Sequence, residues 1–372
     1  MPRADLFYAG TTRSPGRPLT PVTDNDYSRS VSTIADVARL AGVSTASVSR
    51  YLSGQRVREH EAIEKACTEL RYRTDPTARS LRSGRTRSIG VVVPDITNPY
   101  YAAVVKGIQD VTLDGPYHVF LSGTGESAER QHDVLVELTG RADGLILIPA
   151  TEQSEPSREL RPSRIPVVLV DREAEDVHAF DSVVVDNAGG ARLAAEHLLE
   201  LGHERLAMIG GPLNTTVGRE RHAGFVDTLA AAGIEMDPSH DEEGGFNVEG
   251  GYQAALRLLG SRPAPTAIFS TNNLMTTGLL RAVNELGVRT PGEVSVIGFD
   301  DLDLGALLTP PLTCISRPTE AQGALAMRLL LRRLEESDDA APRKATRIVM
   351  DVSLTVRGST GPAPTPAPKR RR

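Results

Sequence analysis

At 372 residues and a net charge of −6, the chain has length for two or three domains, and its charge total is not that of a uniformly basic nucleic-acid binder. No apolar run approaches the roughly 20 residues that span a bilayer, and "MPRADLFYAGTTRSPGRP" lacks the apolar stretch of a secretory signal. The only cysteines, Cys67 and Cys314, sit in apolar patterns, which argues against a disulfide framework and for the reducing cytoplasm.

Residues 1–30, rich in Pro, Ser, Thr, Gly and charge, read as a disordered extension. Residues 31–74 read as three short helices. Thr33 and Asp36 have capping-box spacing, and Ile34, Val37, Ala38 and Ala41 form one apolar helical face. Gly42 ends that helix, since glycine takes positive φ without a Cβ clash. Ser44 caps the second helix, with Val43 and Val48 at the positions of a hydrophobic staple. Val48 and Leu52 point inward, which leaves Thr45, Ala46, Ser49 and Arg50 facing out. Ile63, Ala66, Cys67 and Leu70 are the buried stripe of the third helix. This is the helix-turn-helix plan, which sets its second helix into a DNA major groove. An ordinary helical hairpin in a larger core has the same pattern.

Charge separates the two readings. Residues 31–87 carry eleven Lys or Arg against six acids, a net of +5. Residues 1–30 are +1, so residues 88–372 sum to −12. A local basic patch is what counterion release from phosphates requires, and an acidic body limits non-specific sticking. Residues 75–87, "DPTARSLRSGRTR", are basic and poor in core residues, a linker too short to fold alone.

From Ser88 short apolar runs alternate with helical patterns. Strands are predicted at 89–94, 117–122, 144–149, 166–170, 206–210, 266–270 and 294–299, and helices at 99–113, 127–139, 188–201, 218–232, 248–260 and 273–286. Together they predict a doubly wound α/β body over 88–358. "VVKGIQDVTL" (104–113) and "RHAGFVDTLA" (221–230) each follow a strand and a loop, a short internal echo that suggests two similar halves with a crevice between them. The end, 359–372, "STGPAPTPAPKRRR", reads as a disordered basic tail without the heptads of a coiled coil.

In such sheets ligands bind beyond the C-terminal strand ends. Asp95, Asp171, Asn272 and Asp300 stand there, Arg219 and Arg221 follow "MIGGPLNTTVG", and Tyr100 and Tyr101 open the first helix of the body. These groups suit ligand hydroxyls and one apolar ligand face; each also suits a helix or turn cap. Enzyme readings find little support. "GTGESA" (123–128) resembles a dinucleotide fingerprint, but Asp143 precedes its strand instead of ending it. His197 and His203 lie six apart, not at the i, i+4 of a helical zinc pair, and Ser122 is not in G-x-S-x-G. No catalytic residue, metal or cofactor is expected.

"TIADVARLAGVSTASVSRYL" (33–52), "ARSLRSGRTRSIGVVVPDITNPYY" (78–101), "DSVVVDNAGGARLAAEHLLELGHERLAMIGG" (181–211), "TNNLMTTGLLRAVNELG" (271–287), "VSVIGFDDLDL" (294–304) and "PPLTCISRP" (310–318) resemble the lac repressor family of LacI/GalR-type regulators, in the family's order from Ser32 to Ser359. The resemblance implies an all-α helix-turn-helix headpiece and an α/β two-lobed core like periplasmic binding proteins, built on two doubly wound parallel sheets. The lobes would be 88–180 plus 313–340 and 185–310 plus 345–358, with a hinge helix in 75–87. It implies a cytoplasmic, nucleoid-associated homodimer on a palindromic operator, repressing carbohydrate uptake or catabolism genes in response to a small effector, a sugar or derivative, with no membrane partner. By position, Thr45, Ala46, Ser49 and Arg50 would read bases, and Arg79, Leu81 and Arg82 would enter the minor groove, Leu81 as a wedge. Tyr101, Asp171, Arg221, Asn272 and Asp300 would touch the effector. The chain departs from the family at Asn273, where Asp is common, at Arg317, where Gln is common, and at "SGQRVREH" before the third helix. Alternatives are a solute-binding protein of the same core, an NAD-dependent dehydrogenase, and a nucleobase as ligand, stacked on Tyr101.

Overall fold

The computed structural model describes residues 32–72, 85–151, 160, 165–174, 178, 180–302, 304–336 and 344–364. The chain divides into two units, Met1–Ser83 and Gly84–Arg372.

The first unit holds α1 (Ile34–Ala41), α2 (Thr45–Leu52) and α3 (His60–Glu69). Both halves of the capping box form: Thr33 accepts from the Asp36 amide, and the Asp36 carboxylate accepts from the Thr33 amide at 3.0 Å. Gly42 is left-handed at φ 68°, and Ser44 Oγ accepts from the Ser47 amide at 3.1 Å. Val37, Ala38, Val48, Ile63 and Ala66 are the buried core, and Leu52, Cys67 and Leu70 pack around it. The loop that departs from the family leaves α3 without a side-chain cap at Glu59.

The second unit contains two six-stranded sheets. The first is β11-β5-β4-β3-β1-β2, from β1 (Ser88–Val93), β2 (His118–Gly123), β3 (Gly144–Leu147), β4 (Val167–Val170), β5 (Asp181–Val185) and β11 (Arg347–Met350). The second is β12-β10-β9-β8-β6-β7, from β6 (Leu206–Gly210), β7 (Asp241–Glu243), β8 (Ala267–Ser270), β9 (Ser295–Phe299), β10 (Thr313–Ser316) and β12 (Ser353–Thr355). Pairing is parallel throughout except where β12 runs antiparallel to β10. β1, β3, β4, β6, β8 and β9 are buried along their whole length, as strands covered on both faces must be.

The helices are α4 (Pro99–Thr112), α5 (Ala128–Thr139), α6 (Asn187–Glu200), α7 (Thr216–Ala231), α8 (Val248–Gly260), α9 (Asn273–Glu285) and α10 (Thr319–Glu335). The two sheets share one strand order, so β4 and β9 are equivalent, as are β1 and β6. The internal echo falls on α4 and α7, the helices that follow β1 and β6. α10 packs against α4 so closely that a Cβ on Gly323 would lie 2.0 Å from the Val104 carbonyl oxygen, which is why that position carries glycine.

The structure corrects two expectations. β10 pairs with β9 in the second sheet, whereas α10 packs on α4 and β11 pairs with β5 in the first. The first lobe therefore does not take 313–316, nor the second 347–350. The chain crosses between lobes three times, after β5, β10 and β11, because each sheet is completed by a strand from the far end of the chain. Nor is 359–364 disordered. Ser359 Oγ accepts from the Thr313 amide at 2.8 Å and donates to the Val296 carbonyl at 2.6 Å, and the Ala363 amide donates to Leu201 O at 2.9 Å. Residues 365–372 lie outside the described residues.

His203 fastens this segment. Its Nδ1 meets Thr266 Oγ1 at 3.0 Å, and its Nε2 meets both Ser295 Oγ and the Gly361 carbonyl at 3.0 Å. Burial first, then His197, push the imidazole below its ordinary pKa, against the Gly361 carbonyl. A lowered folded pKa means that the unfolded chain binds the proton more readily. The contribution of His203 to stability is thus complete above about pH 6.5 and is lost as the pH falls from there through the folded value. His203→Gln should shrink the drop in urea midpoint between pH 7.5 and pH 5.5; an unchanged drop would assign the dependence to other groups.

Candidate functional site

In the first unit, Thr45, Ala46 and Arg50 are exposed and Ser49 is half-buried, all on α2. Arg50 Nε rests on the Ala46 carbonyl at 3.4 Å. With Thr and Ala at its start, α2 can approach thymine methyls closely, and Arg50 supplies a donor fork for a guanine edge or a phosphate. Arg79, Leu81 and Arg82 lie outside the described residues.

In the second unit a cavity of about 230 Å³ opens where the C-terminal ends of the two sheets face each other. Tyr101, Asp171, Arg221, Asn272 and Asp300, the five residues expected to touch an effector, all line it. Arg219 does not, and is exposed on α7. Asp171 follows β4 and Asp300 follows β9, the equivalent strands, and both take left-handed backbone, φ 66° and 74°. Such conformations are strained for non-glycine residues and gather at ligand sites. Here they turn two carboxylates into one cleft.

Those carboxylates are not free. Arg317, at the crossover after β10, donates from Nε to Asp300 Oδ1 at 2.5 Å and from Nη2 to Asp300 Oδ2 at 3.1 Å. Its Nη1 donates to Asp171 Oδ1 at 2.5 Å. One guanidinium thus ties the first lobe to the second. It lies 3.5 Å over the Tyr100 ring, whose hydroxyl donates to Gln322 Oε1 at 2.8 Å. Burial pushes Asp171 up, but Arg317, Arg221 and Arg172 together hold it below the usual carboxylate range. Two further bonds join the lobes: Asn273 Nδ2 to Asn98 Oδ1 at 2.8 Å, and the Glu173 amide to Thr216 Oγ1 at 3.0 Å.

Arg221, on α7, is 1% exposed. Its Nε donates to Asn187 Oδ1 at 2.9 Å and its Nη1 to the Thr271 carbonyl at 2.6 Å, with the guanidinium 3.5 Å over the Phe299 ring. Asn272 lines the cleft, but its carbonyl oxygen caps α9 by accepting from the Met275 amide at 2.8 Å. Its side-chain oxygen is taken by that cap, and its Nδ2, which donates to the Phe246 carbonyl over a long 3.5 Å, is what it has to offer a ligand.

Sequence reasoning missed Arg172, Glu126 and Phe246 in the lining. Arg172 directly follows Asp171, and both its terminal nitrogens bond Glu126, at 2.6 and 2.9 Å. Adjacency to a predicted site residue at a strand end was the available signal. Glu126 sits in "GTGESA", and its carboxylate stands just before α5, where a fingerprint helix would receive a pyrophosphate. That loop serves the cleft. Among the described residues, no cluster of three His, Cys, Asp or Glu could hold a metal, and no helix is long and apolar enough to cross a membrane.

A family profile described as bacterial regulatory proteins, lacI family, matches residues 33–75, and one for a periplasmic binding protein-like domain matches residues 195–360. The ribose operon repressor of Escherichia coli (strain K12) is 34% identical over 314 residues, 82% of this chain and 94% of that protein. The lac repressor dimer bound to operator and the anti-inducer ONPF matches with a TM-score of 0.79 at 27% identity, over 89% of this chain and 100% of that one. A LacI family transcriptional regulator from Enterococcus faecium with bound ribose matches at 0.66 and 30% identity, over 74% and 99%. Because the likeness runs through the DNA-reading helices and the two-lobed body alike, this chain belongs to the lacI family of bacterial regulatory proteins, as a DNA-binding transcriptional regulator and not an enzyme.

Proposed function

We propose that this regulator acts in the cytoplasm, at the nucleoid, as a homodimeric repressor of carbohydrate uptake or catabolism genes, and that a small sugar or sugar derivative in the interlobe cleft alters its hold on a palindromic operator. The cavity carries this reading. At about 230 Å³ it falls below the roughly 300–1,000 Å³ of pockets for drug-sized ligands, so its occupant is a single small ring. Its walls offer amides, guanidinium groups and carboxylates, the groups that bond hydroxyls. The ribose operon repressor and the ribose-bound regulator from Enterococcus faecium support the same class. A planar nucleobase, the alternative ligand, would have Tyr101 to stack on, since guanidinium groups already cover the faces of Tyr100 and Phe299.

On DNA, Thr45, Ala46, Ser49 and Arg50 face the major groove, and Leu81, between Arg79 and Arg82, wedges into the minor groove. Footprinting should show two half-sites about one helical turn apart or slightly less. Arg50→Ala should weaken operator binding by on the order of 1–3 kcal/mol if it reaches a base edge. A footprint confined to one asymmetric half-site would contradict the dimer. A panel of monosaccharides, scored by calorimetry and by release or tightening on the operator, tests the effector class.

A further inference from the structure

The polar groups of the cleft divide unevenly between those already engaged and those still able to bond. Asp300 receives two bonds and Asp171 one from Arg317, and Arg172 holds both oxygens of Glu126. Asp95, the other acid of the lining, is half-buried, and its Oδ1 accepts from the Thr97 amide and hydroxyl at 2.8 and 2.7 Å. The lining side-chain atoms that are buried with no partner are donors. Arg221 Nη2 and Arg172 Nε are buried without a hydrogen-bond partner.

Arg221 is the only guanidinium in the lining with no bond to a carboxylate among the described residues. A buried, unpartnered N–H of a charged group is costly, and an ionised acceptor satisfies it about twice as well as a neutral one. Burial, and after it the neighbouring Arg317, push Arg221 down to about 10, which marks a guanidinium short of countercharge. Asp171, Asp300, Arg317 and Arg221 together sum to zero charge. Arg172 likewise cancels Glu126, so Asp95 is the one excess acid of the lining, and an entering carboxylate meets no net charge of its own sign among the four groups around Arg221. With a neutral residue at 317, the same cluster would be net −1, with two acceptors bare. It would repel an acid and favour hydroxyl donors.

Within the reading that the cleft takes a sugar, we propose that the effector is a sugar acid, a monosaccharide carrying one carboxylate that lies on Arg221. Arg317 sets this choice by occupying Asp171 and Asp300. The test is calorimetry on the full chain with D-galacturonate, D-glucuronate and D-gluconate, each against its neutral parent, D-galactose or D-glucose. At least one acid should bind tenfold or more tightly than its parent. Arg221→Gln should abolish that preference, and Arg317→Gln should reverse it. Should Arg317→Gln fail to fold, the double variant Asp171→Asn, Asp300→Asn keeps Arg317 and should strengthen acid binding. Every parent sugar binding as tightly as its acid overturns the proposal and leaves the sugar reading standing. An acid preference unmoved by both sets of variants overturns the role of Arg317. No binding by any acid or parent overturns the sugar-acid proposal, and the wider monosaccharide panel then decides the sugar reading itself.

Discussion

Replacing Arg317 by Met is expected to cost about 3–5 kcal/mol of stability at neutral pH, the usual penalty for leaving buried charges without their partner. Arg317 and both aspartates are buried, each side chain under a tenth exposed. The thioether keeps much of the volume over Tyr100, so the loss is electrostatic and not a cavity. The pH dependence identifies it. In the wild type Arg317 leads the groups that hold Asp171 below the carboxylate range against burial. A depressed folded pKa gives stability that is present above the unfolded value, about 3.9, and is lost as the pH falls through the folded one. In the variant burial of Asp171 is opposed only by Arg221 and Arg172, so its carboxyl moves up and takes a proton on folding. The deficit should be largest at pH 7.5 and shrink by pH 4.5. Urea melts of the two proteins at pH 7.5, 6.0 and 4.5 measure this, and a deficit independent of pH would mean that the ion pairs contribute only packing.

Phe299→Ala and Phe225→Ala should each lose about 3–5 kcal/mol, as large-to-small changes in a closed core do. Both rings are fully buried in the same cluster. They differ in what they support. Phe225 stacks on Phe269 at 5.0 Å, deep in the second lobe. Phe299 lies beneath Arg221, 3.5 Å from its guanidinium, and also packs against Gly190 of α6. A cation over a desolvated ring gains about 0.5–2 kcal/mol and, more to the point here, a fixed plane. Only Phe299→Ala should therefore weaken effector binding, by tenfold or more, with Phe225→Ala as the control for lost stability. Equal affinities in the two variants would reduce Phe299 to core packing.

The local features of this chain were legible in its sequence. The capping box at Thr33 and Asp36, the left-handed stop at Gly42 and the cap at Ser44 depend on side chains within four residues of each other, so spacing alone determined them. All seven apolar runs became strands; six are buried on both faces, as such composition requires, and β2, at the edge of the first sheet, leaves Phe120 and Leu121 exposed. The seven runs leave out β5, β7, β10, β11 and β12; β5 is as apolar and as buried as the strands that were found, whereas two of the others are polar or very short. β7 is Asp241–Glu243, and β12 is three residues long. Nothing in their pattern distinguishes them from loops; pairing with a formed neighbour makes them strands. The five positions expected to touch an effector all line the cleft, since strand ends of an α/β sheet converge there.

What the tertiary structure alone decided is how those residues are used. The lobe to which β10, α10 and β11 belong depends on three crossovers, and a crossover leaves no trace in local periodicity. Residues 359–364 look disordered by composition, yet backbone bonds to Val296 and Leu201 hold them against the second lobe. Arg317 stood out in the sequence only as an unusual residue for its place in the family. That it joins Asp171, 146 residues away, to Asp300, 17 residues away, follows only once two equivalent strands are brought face to face. Capping and periodicity act between neighbours and survive in the sequence as spacing. A charge finds its countercharge through space, and in this cleft that pairing decides which groups remain for a ligand.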